Sequence, residues 1–201
     1  MKVIGVTGRT GCGKSELCAI LARHPGCAVL DADRLGHDAL RLDPGVRARI
    51  VARFGSGILG PGGEIDRARL GDLVFGDRDA LDALDAIVHP WIVARLEERV
   101  AALRARGDVA MVLIDAALLL DWTARIPLDR IVVVRCDEET SVQRLKRKGL
   151  SEPAARRRLA SQRPEEEFLR AADEVIENQG DRAELERRAE RLWERLNRPD
   201  V

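Results

Sequence analysis

The chain has 201 residues, which suits one α/β domain with a small inserted subdomain and is long enough to bury a hydrophobic core. Its 34 basic and 34 acidic residues cancel, so no global positive field draws it to nucleic acid. With three Trp, three Phe and no Tyr, it also offers few rings for stacking on bases. We therefore expect no nucleic-acid partner.

The four cysteines have no C-x-x-C spacing, which indicates free thiols in a reducing compartment and argues against disulfides or a zinc site. The chain starts with a strand pattern instead of a charged-then-apolar leader, and no run approaches eighteen apolar residues. These features predict a soluble cytoplasmic protein without a membrane partner. For the oligomeric state, we expect a monomer or a weak homo-oligomer.

The first part of the chain reads as a strand, a glycine-rich loop and a helix. An apolar strand at Lys2–Thr7 runs into the segment Gly8–Ser15, which has the pattern G-x-x-x-x-G-K-[ST], and a helix follows over Glu16–Ala22. A loop of this pattern between a strand and a helix is the phosphate-binding P-loop. The sequence therefore predicts a nucleotide phosphate site here.

Each part of this loop has an expected role. Glycines let the backbone wrap close to an anion, and the N-terminus of the next helix adds free N–H groups and a positive dipole end. We expect Lys14 to reach the β- and γ-phosphates and Ser15 to ligate Mg²⁺ through its hydroxyl. The predicted nucleotide-binding residues of the loop are Gly8, Gly11, Cys12, Gly13, Lys14, Ser15 and Glu16.

A second short strand at Gly26–Leu30 ends in the acidic pair Asp31 and Asp33. Ligands of open α/β sheets lie beyond the carboxyl ends of the strands. Asp33 at that edge is a candidate to accept the proton of an attacking hydroxyl. Either aspartate is also suited to cap the following helix, and this alternative is left open.

Residues 44–106 read as helical with no strand between, and His89–Pro90 predicts a break or kink. A helical insertion of this size interrupts the regular alternation of strands and helices in a βαβ fold. It indicates either a subdomain that holds the substrate or a purely structural insertion.

The apolar run Val109–Asp115 is typical of a central parallel strand. Asp115 at its end is placed to hold the hydration shell of Mg²⁺, although capping or a structural salt bridge is the alternative. The apolar segment Ala116–Trp122 is expected to line the substrate cleft.

After a fourth strand at Asp129–Arg135, nine Lys or Arg fall within Ser141–Arg170. A helix–turn–helix of this charge predicts a lid whose arginines neutralise phosphate, or else a solvated face or weak RNA-binding patch. A fifth strand at Glu174–Glu177 leads to Asn178, whose loop is expected to flank the P-loop and contact an adenine. An amphipathic helix closes the chain over Asp181–Leu196.

Taken together, the sequence resembles the dephospho-CoA kinase family over nearly its whole length, from about Val3 to Leu185. The residues that carry the resemblance are Gly8 with Gly11–Ser15, Asp31–Asp33 with His37, Phe54–Gly55, Gly63–Arg67, Ile87–Pro90, Asp115 before Leu118–Leu119, Gln143–Arg144, Arg147, Arg158–Gln162 with Pro164, Ala172–Asp173, and Val175–Asn178 with Gly180.

The resemblance implies a three-layer α/β/α P-loop NTPase fold with a five-stranded parallel sheet. It implies a nucleotide-binding core of residues 1–33, 107–142 and 171–201, a helical CoA-binding subdomain of residues 34–106 and a lid of residues 143–170. The implied reaction uses ATP and Mg²⁺ to phosphorylate the 3′-hydroxyl of the dephospho-CoA ribose. Asp33 then corresponds to the general base, and Arg144, Arg147 and Arg158 to lid arginines on the phosphates.

The chain departs from the family pattern at several positions. Cys12 replaces the usual Ser, which places an oxidisable thiol beside the phosphates. Glu16 replaces Thr, Ala116–Ala117 replace a small residue and Pro, and Phe168 occupies a lid position often held by Lys.

Two other functions share the motifs: a nucleoside or nucleotide kinase, and a catalytically silent nucleotide-binding switch.

Overall fold

A computed structural model describes residues 1–122 and 126–198 of the chain. Five strands form one sheet in the order β2-β3-β1-β4-β5, with β1 paired in parallel to β3 and β4, and β4 to β5. The strands are β1 (Lys2–Thr7), β2 (Cys27–Asp31), β3 (Met111–Asp115), β4 (Arg130–Arg135) and β5 (Glu174–Glu177). The predicted α/β fold with a five-stranded sheet is confirmed, and each strand end lies within two residues of its predicted position.

Helices connect the strands and form most of the remaining described chain. They are α1 (Lys14–Leu21), α2 (Ala32–Leu42), α3 (Pro44–Phe54), α4 (Arg67–Val74), α5 (Arg78–Arg106), α6 (Glu138–Arg147), α7 (Glu152–Ala160), α8 (Glu165–Ala171) and α9 (Arg182–Leu196). Side chains of Asp66, Asp137 and Asp181 accept hydrogen bonds from the first turns of α4, α6 and α9. Among the described helices, none combines the length and apolar character needed to cross a membrane.

The main core packs α1 and α9 against the sheet. Ile4 and Val6 of β1, Leu17 of α1 and Leu192 of α9 are almost completely buried in one cluster. Burying side chains of this size stabilises each by about 1.5–3 kcal/mol relative to exposure. This packing fixes the start of α1, and therefore the loop before it, against the end of β1.

The chain divides into two compact units, residues 31–99 and the remainder. Unit 31–99 has its own buried side chains, including Leu35, Ile50 and Leu96. Within it the Trp91 indole N–H donates to Asp43 at 2.8 Å, joining α5 to the start of α3. The predicted boundaries of the subdomain and lid stay predictions, and residues 199–201 of the predicted core lie outside the described residues.

His89–Pro90 was predicted to break or kink the helix; the break is wrong, and the kink stays a prediction. Helix α5 runs through Pro90 as one element of 29 residues. Proline removes one helical N–H, the donor to the carbonyl of Ala86, but Pro90 and Ala86 are both solvent-exposed, so water can bind that carbonyl. Buried Val88 and Ile92 on either side hold the helix together through packing.

We predict that Pro90→Ala stabilises the protein, because alanine restores the missing N–H on an exposed helix face. The helix-propensity difference sets an upper bound of about 3 kcal/mol, and we expect about 1 kcal/mol or more. The unfolding midpoint in urea measures this. Ala94→Gly, at an exposed position of the same helix, should lose about 1 kcal/mol. An unchanged or lower midpoint for Pro90→Ala would show that local geometry requires the proline.

Candidate active site

The loop between β1 and α1 depends on three glycines in the left-handed region of backbone space. The φ angles are 137° at Gly8, 80° at Gly11 and 99° at Gly13. A Cβ on Gly8 would collide with the carbonyl of Val134 on β4, and one on Gly13 with the Asn178 amide. Glycine is therefore required at both positions by conformation and by close approach.

Lys14 and Ser15 occupy the first turn of α1, where the helix N-terminus favours anions. The Lys14 side chain is buried, and its Nζ donates to the carbonyl of Gly8 at 3.1 Å, so the ammonium lies over the loop. Ser15 is exposed. A cation and free helical N–H groups converge here, which is the arrangement that binds nucleotide phosphates.

The loop is held by two polar side chains that donate to the carbonyl of Cys12. Asn178 Nδ2 donates to it at 2.7 Å and Arg144 Nη1 donates at 3.2 Å. Of the three predicted lid arginines, Arg144 is thus brought to the P-loop. The Asn178 side chain is engaged with the loop, and its predicted adenine contact stays a prediction.

Two further contacts join the loop to the last turn of α7 and to the segment after it. Arg9 Nη2 donates to the carbonyl of Leu159 at 2.8 Å, and the Thr10 N–H donates to Gln162 Oε1 at 2.7 Å. Sequence reasoning missed these contacts, because the partners lie about 150 residues apart. The only feature of the sequence that pointed to these contacts was the run Arg158–Gln162, which is one of the segments that resemble the family.

The other predicted lid arginines lie on exposed surfaces. Arg147 ends α6 and Arg158 lies in the last turn of α7. Among the described residues, neither donates a hydrogen bond to the P-loop. Phe168, at the predicted lid position, is buried and lines a small cavity together with Gly8 and Cys12. Its ring therefore faces the interior beside the loop and not solvent.

Asp115 lies at the end of β3 beside the end of β1. It pairs in register with Val6 and is 4% exposed, and the next N–H, of Ala116, donates to Val6 at 3.0 Å. Across the described ranges 1–122 and 126–198, no cluster of three or more His, Cys, Asp or Glu forms a metal site. A metal ion bound here would therefore have few protein ligands. The Ser15 hydroxyl and the Asp115 carboxylate are oxygen ligands of the type that Mg²⁺ prefers.

The apolar segment after Asp115 packs inward. Ala116, Leu119 and Trp122 are buried, and Leu119 lies against Gly5 of β1. The expectation that this segment lines a cleft is wrong for these three residues, because β1 has a glycine where Leu119 needs space.

In unit 31–99, the structure separates the roles of the two aspartates that follow β2. Asp31 is the N-cap of α2 and accepts from the Arg34 N–H at 2.8 Å. Asp33 lies inside the first turn and is exposed. Capping is therefore assigned to Asp31, and the Asp33 carboxylate faces solvent. One turn further along α2, His37 Nε2 lies 2.6 Å from a guanidinium nitrogen of Arg67.

Glu16 is drawn toward α9. Its carboxylate lies 3.4 Å from Nε of Arg182, with both side chains largely exposed. The added negative charge in the first turn of α1 thus has a cationic partner. The predicted contact of Glu16 with nucleotide stays a prediction.

Cys12 differs from the expected oxidisable thiol. Its side chain is 1% exposed. Burial raises the pKa of the Cys12 thiol above its ordinary value, and the charge of Lys14 only partly opposes the rise. Since the thiolate is the reactive form, burial and the raised pKa both oppose reaction of the Cys12 thiol.

The glycine-rich loop, its buried lysine and the parallel sheet define a P-loop nucleotide-binding protein. A family model described as dephospho-CoA kinase matches residues 2–184. A dephospho-CoA kinase of Geobacter sulfurreducens is 44% identical over 194 residues, covering 96% of this chain and 98% of that protein. The chain belongs to the dephospho-CoA kinase family.

Solved structures agree with this assignment. The crystal structure of TT1252 from Thermus thermophilus matches with a TM-score of 0.77 and 33% identity, covering 98% of both chains. A dephospho-CoA kinase from Campylobacter jejuni matches with a TM-score of 0.62 and 27% identity, covering 97% of both. The family resemblance predicted from the sequence is confirmed.

We predict that iodoacetamide leaves Cys12 unmodified at pH 8 until the chain unfolds, because the thiol is buried and protonated. Cys27, whose pKa is raised to about 11, should react about 100-fold more slowly than in guanidinium-unfolded protein. Peptide mass spectrometry after timed labelling measures both rates. Rapid labelling of Cys12 in the folded protein would contradict the burial argument.

Proposed function

We propose that this protein transfers the γ-phosphoryl group of ATP to the 3′-hydroxyl of the dephospho-CoA ribose, giving coenzyme A and ADP. The observation that carries the proposal is a P-loop with Lys14 buried over it, in a chain that belongs to the dephospho-CoA kinase family. The free cysteines support a reducing, cytoplasmic location.

In this proposal the P-loop backbone holds the phosphates of ATP. N–H groups of the loop and of the first turn of α1 bind phosphate oxygens, and Lys14 moves its hydrogen bond from the Gly8 carbonyl to the β- and γ-phosphates. Arg144, which already contacts the loop, neutralises charge on the transferring group.

Ser15 and Asp115 are the residues that would hold Mg²⁺, through the hydroxyl and through the carboxylate or its hydration shell. Both are hard oxygen donors, as this ion requires. When bound, Mg²⁺ neutralises charge on the β- and γ-phosphates.

Asp33 is proposed to accept the proton of the attacking 3′-hydroxyl. Its carboxylate is exposed, and Asp31 caps α2 in its place, so the Asp33 carboxylate is available for this role. A positioned base of this kind accelerates transfer by about 10²–10⁴-fold. We assign binding of the acceptor to the helical residues 34–106, which include the exposed His37 and Arg67.

Residues 143–170 are proposed as a lid that excludes water from the transferring group. Arg147 and Arg158 would reach the phosphates when this segment closes, since both are on its exposed surface.

A coupled ADP-release assay with Mg-ATP tests the function by comparing dephospho-CoA with adenosine and AMP as acceptors. The proposal expects ADP release only with dephospho-CoA, and coenzyme A as the product by mass. Release with adenosine or AMP instead would indicate a nucleoside or nucleotide kinase. ATP binding without release to any acceptor would indicate a silent nucleotide-binding switch.

We predict that Asp33→Asn lowers kcat by about 10²–10⁴-fold and leaves the Kd for ATP unchanged, because only proton acceptance is lost. Asp31→Asn is the matched control: asparagine caps helices as well as aspartate, so kcat should stay within about twofold of the wild type. Steady-state kinetics and calorimetric ATP titrations provide the two readouts. Full turnover by Asp33→Asn would remove Asp33 from the role of base.

A further inference from the structure

Three groups from distant parts of the sequence form a closed set of hydrogen bonds at the P-loop. Asn178 Nδ2 donates to the Cys12 carbonyl at 2.7 Å, and Arg144 Nη1 donates to the same carbonyl at 3.2 Å. Arg144 Nη2 donates to Asn178 Oδ1 at 3.3 Å. The Asn178 amide thus uses its donor on the loop and its acceptor on the arginine.

Chemistry fixes the orientation of this amide. With the amide rotated by 180°, its oxygen would face the carbonyl of Cys12, and its NH₂ group would face the guanidinium of Arg144. Oxygen would then face oxygen, and NH₂ would face the guanidinium, so groups of the same partial charge would meet in both contacts. One orientation alone satisfies a carbonyl on one side and a cation on the other.

The Asn178 side chain is also locked by burial and packing. It is 5% exposed, directly after β5, and its backbone N–H donates to the Arg135 carbonyl of β4 at 2.8 Å. Its amide nitrogen fills the space that a side chain on Gly13 would occupy. The residue is therefore held by the sheet on one side and by the turn of the P-loop on the other.

We infer that Asn178 is a positioning residue for phosphoryl transfer, acting through Arg144 and the Cys12 carbonyl, and that it does not select the nucleotide base. This inference rests on the proposed function and refines it. The Cys12 carbonyl, held outward by Asn178, keeps the neighbouring N–H groups of the loop turned toward phosphate. The guanidinium, held at two points, remains beside the loop.

The physical effect of this arrangement is preorganisation. An arginine side chain has several rotatable bonds, and an unrestrained one spends little time in the geometry that stabilises the transition state. If the guanidinium is fixed before ATP binds, the entropy cost of ordering the arginine side chain is not added to the barrier of the reaction step. Loss of Asn178 should therefore appear mainly in kcat, whichever purine nucleotide is the donor.

The first test compares Mg-ATP and Mg-GTP as donors for wild type, Asn178→Asp and Asn178→Ala. Asn178→Asp keeps the size of the side chain but replaces the donor to Cys12 by a second acceptor. We expect kcat to fall about 10-fold or more with either nucleotide, with the ATP-to-GTP ratio of kcat/KM within about twofold of the wild type. A change of tenfold in that ratio with kcat for ATP retained, or no change in any parameter, would overturn the inference.

A double-mutant cycle with Arg144→Ala tests whether Asn178 acts through the arginine. We expect Asn178→Ala to cost about 10-fold in kcat in the wild type and less than about twofold when Arg144 is already absent. Fully multiplicative losses would contradict action through Arg144. If Asn178→Ala fails to fold, Asn178→Asp, which conserves volume, serves in the same cycle.

The chain provides a matched control in Asn197, its only other asparagine. The Asn197 amide also donates to a backbone carbonyl, that of Trp193 at 3.1 Å. It lies past the end of α9, near the start of β1 and at the opposite edge of the sheet from the P-loop, as the Lys2 Nζ contact to the Leu196 carbonyl shows. Asn197→Asp should leave kcat and the ATP-to-GTP ratio unchanged.

The inference and the proposed function fail in different ways. If the wild type transfers no phosphate to dephospho-CoA, the proposed function fails. Calorimetric Kd values for ATP and GTP still test Asn178 without an acceptor. An unchanged ratio of the two Kd values in Asn178→Asp, with both affinities kept or equally weakened, supports the inference, whereas selective loss of ATP affinity indicates contact with the base and overturns it.

Discussion

The carbonyl oxygen of Cys12 is the constraint around which the site is arranged. A P-loop that turns its N–H groups inward to bind an anion turns carbonyl groups outward, and a carbonyl left without a donor costs about 1–3 kcal/mol. Arg144 and Asn178 supply the donors, from 132 and 166 residues further along the chain. Satisfying one backbone acceptor thus brings α6 and the end of β5 to the loop.

The sheet brings these groups to one edge. β1 lies between β3 and β4, and β5 lies beyond β4, all in parallel. The P-loop, Asp115 and Asn178 follow or end β1, β3 and β5, so they share the carboxyl edge where α/β sheets bind ligands. The burial of apolar strand residues such as Ile4 and Val132 holds this edge rigid, as a site for fast phosphoryl transfer requires.

The end of α7 and the segment after it are tied to the P-loop more weakly than Asn178 is. The contacts of Arg9 with Leu159 and of Thr10 with Gln162 are only partly buried, and each contributes about 0.5–1.5 kcal/mol. By contrast, Asn178 is buried and follows a strand, and it is suited to stay in place through the reaction.

The sequence by itself determined the elements and the phosphate site, because these depend on local patterns. Short continuous runs of apolar residues predicted the strands, and Gly13, Lys14 and Ser15 predicted the anion-binding loop through backbone conformation and charge. The sequence also predicted that the loop of Asn178 flanks the P-loop, as its contact with Cys12 confirms. Tertiary structure alone decided which atoms meet there, because nothing near Gln162 or Asn178 in sequence shows that their amides meet Thr10 and Cys12. Only the solvent exposure of Pro90 and its packed neighbours explains why α5 continues there. Contacts between distant residues depend on the folded arrangement of strands, which local patterns do not encode.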